Sequence, residues 1–433
     1  MRGMTRRAFG RGLGAMAAAS QAGGMGTFAI AQTQPRVLII GGGAGGATVA
    51  TYLKRLAPNL HVTLIERNAQ FTTCFFSNLY LGGFRTLESL THSYQELKTQ
   101  GINVITDVAI DVDTSRKTVT LISGTRIPYD RLVLSPGIDI RFDTIEGYNS
   151  EVAQSMPHAW RAGDQTALLK AQLEAMPEGG VVVMAAPPNP FRCPPGPYER
   201  ACMIAHFLKT RKPRSKLIIL DPKRTFSKQA VFLEAFKKYY PGLVEIHLTN
   251  DIDDFRVVAV DPGSKTVIAK SGMKVRASVA NIVPAQRAGG IAQRAGCVEG
   301  DWCPIAPETF LSTKAQDVHV IGDACIATDM PKSAFSANSQ GKLIANHLAN
   351  TLAGKEVFPA RVRNTCWSLL APNDSAKIGA NYIVGVSNGR KMLMPTDAFV
   401  SQPGEEASER RENFDESVGW YSGMTMDMFG KQV

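Results

Sequence analysis

Seven cysteines are the residues best equipped for redox or nucleophilic chemistry: Cys74, Cys193, Cys202, Cys297, Cys303, Cys325 and Cys366. An odd number leaves at least one thiol unpaired or committed to another bond. None stands in Cys-x-x-Cys-His, so this chain does not hold a haem c covalently. No Cys/His set has zinc spacing, because Cys297-x5-Cys303 lacks a second pair, and no metal site is expected. Cys297 and Cys303 flank a glycine-containing loop and could bridge locally, whereas Cys202 and Cys325 read as buried thiols. Cys193 has the oddest setting, in FRCPPGPYERAC (191–202), shortly after the apolar run VVVMA (181–185). A nucleotide-binding turn would carry glycines there. Prolines offer no N–H to a pyrophosphate, and their rings crowd its approach. Glu199, on the helix opened by Pro195 and Pro197, is at least a carboxylate placed favourably in a first helical turn.

The elements around these residues read as an α/β protein. RVLII (36–40) is a strand, GGGAGG (41–46) follows, and 47–56 is a helix with Ala, Val and Leu on one face. HVTLI (61–65) is a second strand that ends on Glu66. Gly41, Gly43 and Gly46 therefore have G-x-G-x-x-G spacing inside a complete βαβ opening. Such glycines let the backbone approach a pyrophosphate at a helix N-terminus, and the terminal carboxylate accepts from a ribose hydroxyl. Asp323 closes another strand (317–321), placed either as a cofactor-hydroxyl acceptor or as a helix N-cap. Residues 103–134 suggest a small meander, and 164–176 an amphipathic helix. The runs 181–185 and 216–220 are strands of a second α/β unit, and 339–352 is a helix. Residues 382–394, with Asn388-Gly389 at the turn, read as a hairpin, and 404–416 as a charged, exposed segment.

The chain has 433 residues, too many for one core, and two or three domains are expected. Formal charge is +10; the first 31 residues hold Arg2, Arg6, Arg7, Arg11 and no acid, so without them it falls to +6. No basic stripe interleaved with aromatics argues for nucleic acid. After the N-terminus no apolar run is long enough for a transmembrane segment. TRRAF (5–9) is a twin-arginine pattern, and AIA (29–31) is an ending that signal peptidase accepts. Residues 1–31 thus read as a twin-arginine signal peptide directing the protein to the periplasm. That route carries folded proteins, often with a cofactor inserted, to a compartment where disulfides persist.

Taken together, the motifs resemble the flavoprotein subunit of flavocytochrome c sulfide dehydrogenase. That family is related to the sulfide:quinone oxidoreductases among the disulfide-reductase-like flavoproteins. The likeness covers essentially the whole mature chain. It rests on residues 41–46, FTTCFFSN (71–78), FRCPPGPYER (191–200), VIGDACIA (320–327), PKSAFSANSQG (331–341) and NTCWSLLAP (364–372). The resemblance implies two Rossmann-like dinucleotide-binding domains and a C-terminal α+β interface domain (356–433). The FAD domain would be discontinuous, 32–148 and 283–355, and the second, NAD-like domain (149–282) would hold no nucleotide.

The resemblance also implies roles. Cys74 would be bonded through sulfur to the 8α-methyl of FAD, Asp323 would bind the ribityl chain, and Trp420 would lie beside the flavin. Cys193 and Cys366 would form a redox-active disulfide, although the sequence itself allows many pairings, a purely structural bridge included. Glu199 would accept the proton of incoming hydrosulfide. Sulfide would be oxidised to sulfane sulfur or polysulfide, with electrons passing through FAD to a separate c-type cytochrome subunit in a heterodimer.

Three rival readings have their own requirements. A sulfide:quinone oxidoreductase needs an apolar quinone slot and usually a membrane-binding amphipathic C-terminus. Residues 408–433 begin acidic and end in a short piece with Met424, Met426, Met428 and Phe429, which is poor membrane material. An NAD(P)H-dependent disulfide or ferredoxin reductase needs a second glycine loop where APPNP (186–190) stands. An accessory flavoprotein of a sulfur-oxidation system would retain the same cysteines and FAD.

Overall fold

The computed structural model describes residues 34–250 and 254–430. The twin-arginine pattern and the AIA ending lie outside the described residues. The first sheet contains five parallel strands in the order Val318–Val320, Arg131–Leu134, Arg36–Ile40, His61–Glu66, Asn103–Thr106. Its central strand is buried from Val37 to Ile40, the continuous apolar run expected of a parallel strand covered on both faces. The helix Ala44–Leu56 lies on it through Ala47, Val49, Ala50 and Leu53, all fully buried. The edge strand Val318–Val320 arrives nearly two hundred residues after its neighbour Arg131–Leu134, so this unit is discontinuous in sequence.

A second parallel sheet has the order Val244–Leu248, Lys216–Asp221, Val181–Ala185, Val279–Ile282. Each parallel sheet is interrupted by a three-stranded antiparallel meander before one of its strands. Ala109–Asp113, Thr118–Leu121 and Arg126–Pro128 precede Arg131–Leu134; Val257–Asp261, Thr266–Ala269 and Lys274–Arg276 precede Val279–Ile282. The expected meander over 103–134 is therefore narrower, because Asn103–Thr106 and Arg131–Leu134 belong to the parallel sheet.

The C-terminal part is an antiparallel sheet of Arg361–Ala371, Asp374–Ser387 and Arg390–Val400, followed by the helix Ala407–Phe429. Asn388 and Gly389 both have positive φ (49° and 72°), the two-residue turn that matches strand twist. The hairpin is real but longer than its apolar run suggested. The segment 404–416 is largely exposed, as expected. Most of it is the first half of the helix, which turns Arg410, Asn413, Ser417, Tyr421, Met424 and Met428 inward.

Candidate active site

Steric contacts explain the glycine loop. Gly41 has φ +99°, and a Cβ there would sit 2.2 Å from the carbonyl oxygen of Ser135. A Cβ on Gly46 would fall 1.9 Å from the carbonyl oxygen of Gly41, so the loop could not close on its helix. Gly43 faces outward; a Cβ would meet only the Phe71 ring, at 3.4 Å. Glu66 buttresses the turn, Oε2 accepting from Gly42 N–H at 2.8 Å and Oε1 from Asn68 N–H at 3.1 Å.

These residues border a cavity of about 480 Å³ whose wall also includes Cys74, Arg192 and Asp323. Asp323 Oδ1 is buried without a hydrogen-bond partner, and Oδ2 lies 3.9 Å from Arg192 Nη1. A buried acceptor left unmade costs about 1–3 kcal/mol, so its position fits a ligand that brings hydroxyl donors. Burial pushes the Asp323 carboxyl up, opposed by Arg192 and Lys332. It is not the cap of the following helix: Ser333 holds that place, its Oγ accepting from Ser336 N–H at 3.0 Å. Glycine cradle, orphaned carboxylate and the cavity they border together fit a dinucleotide such as FAD.

Cys74 is half-buried between the short strand Gln70–Thr72 and the helix Ser77–Gly82. Its neighbour Phe75 packs on Trp420, with centroids 5.5 Å apart. Trp420 in turn stacks on Phe335 at 6.1 Å and contacts Trp367 at 5.5 Å. Trp420 therefore stands beside the Cys74 segment, in an aromatic cluster next to the cavity.

Cys193 adopts the left-handed region (φ +59°), held by its N–H on Lys332 O and its carbonyl on Gly196 N–H, both 2.8 Å. Gly196 must remain small, since a Cβ there would approach Cys193 Sγ to 3.0 Å. Cys366 lies on the strand Arg361–Ala371, with its thiol 3.5 Å from Asn364 Oδ1. Burial pushes both thiols up, and each stands in the electrostatic field of the other and of Glu199. All seven cysteines are thiols in this structure.

Glu199 joins the two cysteine-bearing elements. Oε2 accepts from Asn78 Nδ2 at 2.7 Å, and Oε1 accepts from Leu369 N–H at 2.9 Å, three residues beyond Cys366. Desolvation raises its carboxyl, opposed by these two donors and by Lys228 and Arg200. Three cations complete the surroundings, and sequence reasoning missed all of them. Arg192 contacts the Trp160 carbonyl and faces Cys74, Asp323 and Cys193. Arg200 is bound by Asn78, Asn281 and the carbonyls of His158 and Ala159, and burial lowers it to about 9. Lys228 reaches the Cys366 carbonyl at 3.0 Å. Arg192 and Arg200 were signalled by adjacency to Cys193 and Glu199; Lys228 had no local signal.

In the second α/β unit a buried polar cluster packs against the proline-bearing turn that follows Val181–Ala185. Asp221, at the end of its strand, is fully buried and accepts from Tyr198 Oη at 2.6 Å. Lys223 Nζ sits 2.7 Å from both Asp221 Oδ1 and the Pro187 carbonyl. The prolines remove donors, and this ion pair fills the remaining polar contacts. Two of the other cysteines border the site, Cys202 in the field of Glu199 and Lys228 and Cys325 in that of Asp323 and Lys332. Cys202, Cys297, Cys303 and Cys325 are all buried, and Cys303 pairs in register with Cys325 rather than standing only against Cys297.

Comparison with known proteins agrees with this geometry. Residues 35–182 match the pyridine nucleotide-disulphide oxidoreductase model. Residues 166–284 match the central part of the sulfide dehydrogenase (flavocytochrome c) flavoprotein chain, and 359–429 match the flavocytochrome c sulphide dehydrogenase flavin-binding model. A sulfide dehydrogenase (flavocytochrome c) flavoprotein chain from Chlorobaculum thiosulfatiphilum is 54% identical over 43 residues, 10% of this chain and 90% of that sequence. The chain belongs to the sulfide dehydrogenase and sulfide:quinone oxidoreductase-like flavoproteins. Within this family, the mitochondrial sulfide:quinone oxidoreductase of Mus musculus is 23% identical over 71% of this chain and 68% of its own. The solved sulfide:quinone oxidoreductase of Aquifex aeolicus superposes with TM-score 0.69 at 20% identity, covering 89% of this chain and 91% of that one. This likeness shows the fold, a pair of Rossmann-like units with a C-terminal sheet and helix.

Proposed function

We propose that the protein oxidises sulfide to sulfane sulfur or polysulfide through a disulfide between Cys193 and Cys366, as the flavoprotein subunit of a periplasmic flavocytochrome c. The observation that carries this reading is that Glu199 bonds the Cys366 strand at Leu369 N–H from the helix packed against Cys193, whose neighbour Arg192 lines the cavity with Cys74 and Asp323. Hydrosulfide is a soft nucleophile and a disulfide its natural electrophile. Attack on Cys193 forms its S–S bond to the incoming sulfur and breaks the bond to Cys366, which leaves with the electron pair as a thiolate. Glu199 takes up the substrate proton when neutral hydrogen sulfide rather than the hydrosulfide anion enters. Arg192, Arg200 and Lys228 offset the negative charge that the step brings into the site. FAD would be held by Gly41, Gly43, Gly46, Glu66 and Asp323, with Cys74 as its covalent attachment, and would supply a two-electron acceptor able to pass electrons on singly.

The expected acceptor is a c-type cytochrome subunit. A quinone acceptor is the second reading, favoured by the length over which the sulfide:quinone oxidoreductases align. Against it, Met424, Met428 and Phe429 of the C-terminal helix are buried inside the protein instead of facing outward. Among the described residues no helix is long and apolar enough to cross a membrane.

The test is anaerobic mixing of purified protein with sulfide. Wild type should bleach its flavin and reduce added cytochrome c. Cys193→Ser and Cys366→Ser should abolish sulfide-driven bleaching yet remain reducible by dithionite. Brisk turnover with a soluble quinone and none with cytochrome would replace the first reading by the second. Peptide mapping that finds Cys74 without added flavin mass would reject the covalent link.

A further inference from the structure

Lys228 is buried, 6% exposed, in a left-handed backbone conformation (φ +59°) just before the helix Gln229–Tyr239. Non-glycine residues rarely adopt that region without a tertiary reason. Its Nζ donates to three neutral acceptors: the Cys366 carbonyl at 3.0 Å, Ser368 Oγ at 2.8 Å and the Ala376 carbonyl at 3.1 Å. Among the described residues none of its hydrogen bonds goes to a carboxylate. Its nearest partners are thus dipoles, with the Phe232 ring 5.8 Å away and Glu199 acting only through its field, an unusual setting because buried charges are ordinarily paired directly. It lies against the residue whose sulfur must leave as an anion.

We propose that Lys228 is a positioning residue that provides the counter-charge for the Cys366 thiolate when the disulfide opens. This rests on the sulfide-oxidising reading above. The cation sits on the backbone of the strand bearing Cys366, so it fixes the sulfur's position as well as its charge. Burial brings the ammonium down to about 8 against the fields of Cys366, Glu199 and Cys193, which raise it, Cys366 most. The same coupling lowers the Cys366 thiol against its desolvation. Facing groups on the other packed elements are Glu199 and Cys202 on Gly196–Arg211, Cys193 on its loop, Arg410 on the C-terminal helix, and Tyr382 on the adjacent strand. Glu199 favours the protonated thiol and Arg410 opposes a charged Lys228, so neither duplicates its role.

The test reads the Cys366 thiolate directly. Flavin-loaded protein reduced with dithiothreitol is pulsed briefly with iodoacetamide across pH 6–11, and carboxamidomethylation at Cys366 and Cys193 is counted by peptide mass spectrometry. Removal of a nearby opposite charge raises a thiol pKa by about 1–3 units. Lys228→Met should therefore move the Cys366 midpoint up by at least ~1 unit and slow labelling at pH 7 about tenfold, with a smaller change at Cys193. Lys228→Arg, which keeps the charge, should restore most of the profile. Lys228→Gln serves if the Met variant does not fold. An unchanged Cys366 profile in whichever neutral variant folds overturns the proposal. Because the assay uses dithiothreitol, failure of sulfide to bleach wild-type flavin would sink the functional reading separately.

Discussion

The two sulfurs and Cys74 sit among buried charges of both signs, and the geometry of Glu199 decides how rigidly they are held. Its two oxygens are taken by Asn78 Nδ2 and Leu369 N–H, while Asn78 Oδ1 accepts from Arg200 Nε at 3.0 Å. Asn78 cannot turn its amide without losing Arg200. Glu199→Gln then forces an amide donor against the Asn78 amide donor or leaves Leu369 N–H unmade. The expected cost is about 1–3 kcal/mol, read as a lower urea midpoint with unchanged slope. A variant as stable as wild type would show that this carboxylate does not tie the Cys193 helix to the Cys366 strand. The raised carboxyl adds a kinetic expectation: in Glu199→Gln, sulfide-driven bleaching should lose the acid-limb inflection set by this group.

At the scale of elements, the C-terminal helix shows how an ion cluster can take the place of apolar packing. Arg410, 4% exposed, reaches Glu405 Oε2 at 2.6 Å, Asp374 Oδ1 at 3.4 Å and Glu234 Oε2 at 3.5 Å. Arg410→Met leaves three carboxylates facing one another and should cost about 3–5 kcal/mol. On the outer face of the same helix a Cβ at Gly423 would meet nothing within 4 Å. Gly423→Ala should instead stabilise by roughly 0.5–1 kcal/mol. Thermal melts of the pair check both signs; a neutral Arg410→Met would deny the cluster its anchoring role. This helix was also the least legible element. Its inward positions 410, 413 and 417 are Arg, Asn and Ser, so the apolar period that marks a helix is absent over its first half, which reads only as a charged, exposed segment. The glycine loop was legible because sterics alone dictate Gly41 and Gly46. Lys228 was not, because its partners Cys366, Ser368 and Ala376 lie 138 to 148 residues away.

Across the whole molecule, two histidines buried in its separate halves couple folding to acid. His319 lies in the edge strand of the first sheet, 1% exposed, with Nδ1 2.8 Å from the Thr309 carbonyl. Burial, His347 and Arg131 bring it down to about 4. His158 lies beside the second sheet, its Nδ1 accepting from Trp160 N–H at 2.9 Å. Burial and the cations Arg161, Arg200 and Arg192 lower it to about 3. Both folded values fall below the ordinary 6.5, so the unfolded chain binds the protons first as pH drops. Stability is therefore full above about 6.5 and is lost as pH falls toward the folded values. Between pH 6.5 and 5 each histidine should remove on the order of 2 kcal/mol. Most carboxylates titrate below this window. Glu199 and Asp323, whose folded values are raised, act in the opposite sense and partly offset the loss. Urea midpoints at pH 7, 6 and 5 should decline together for both sheets. His319→Gln should lower stability at pH 7 yet flatten part of the decline, the rest remaining with His158 and with His206 and His347, which burial also lowers. A wild-type midpoint that stays level from pH 7 to pH 5 would mean that neither ring is held neutral by the fold.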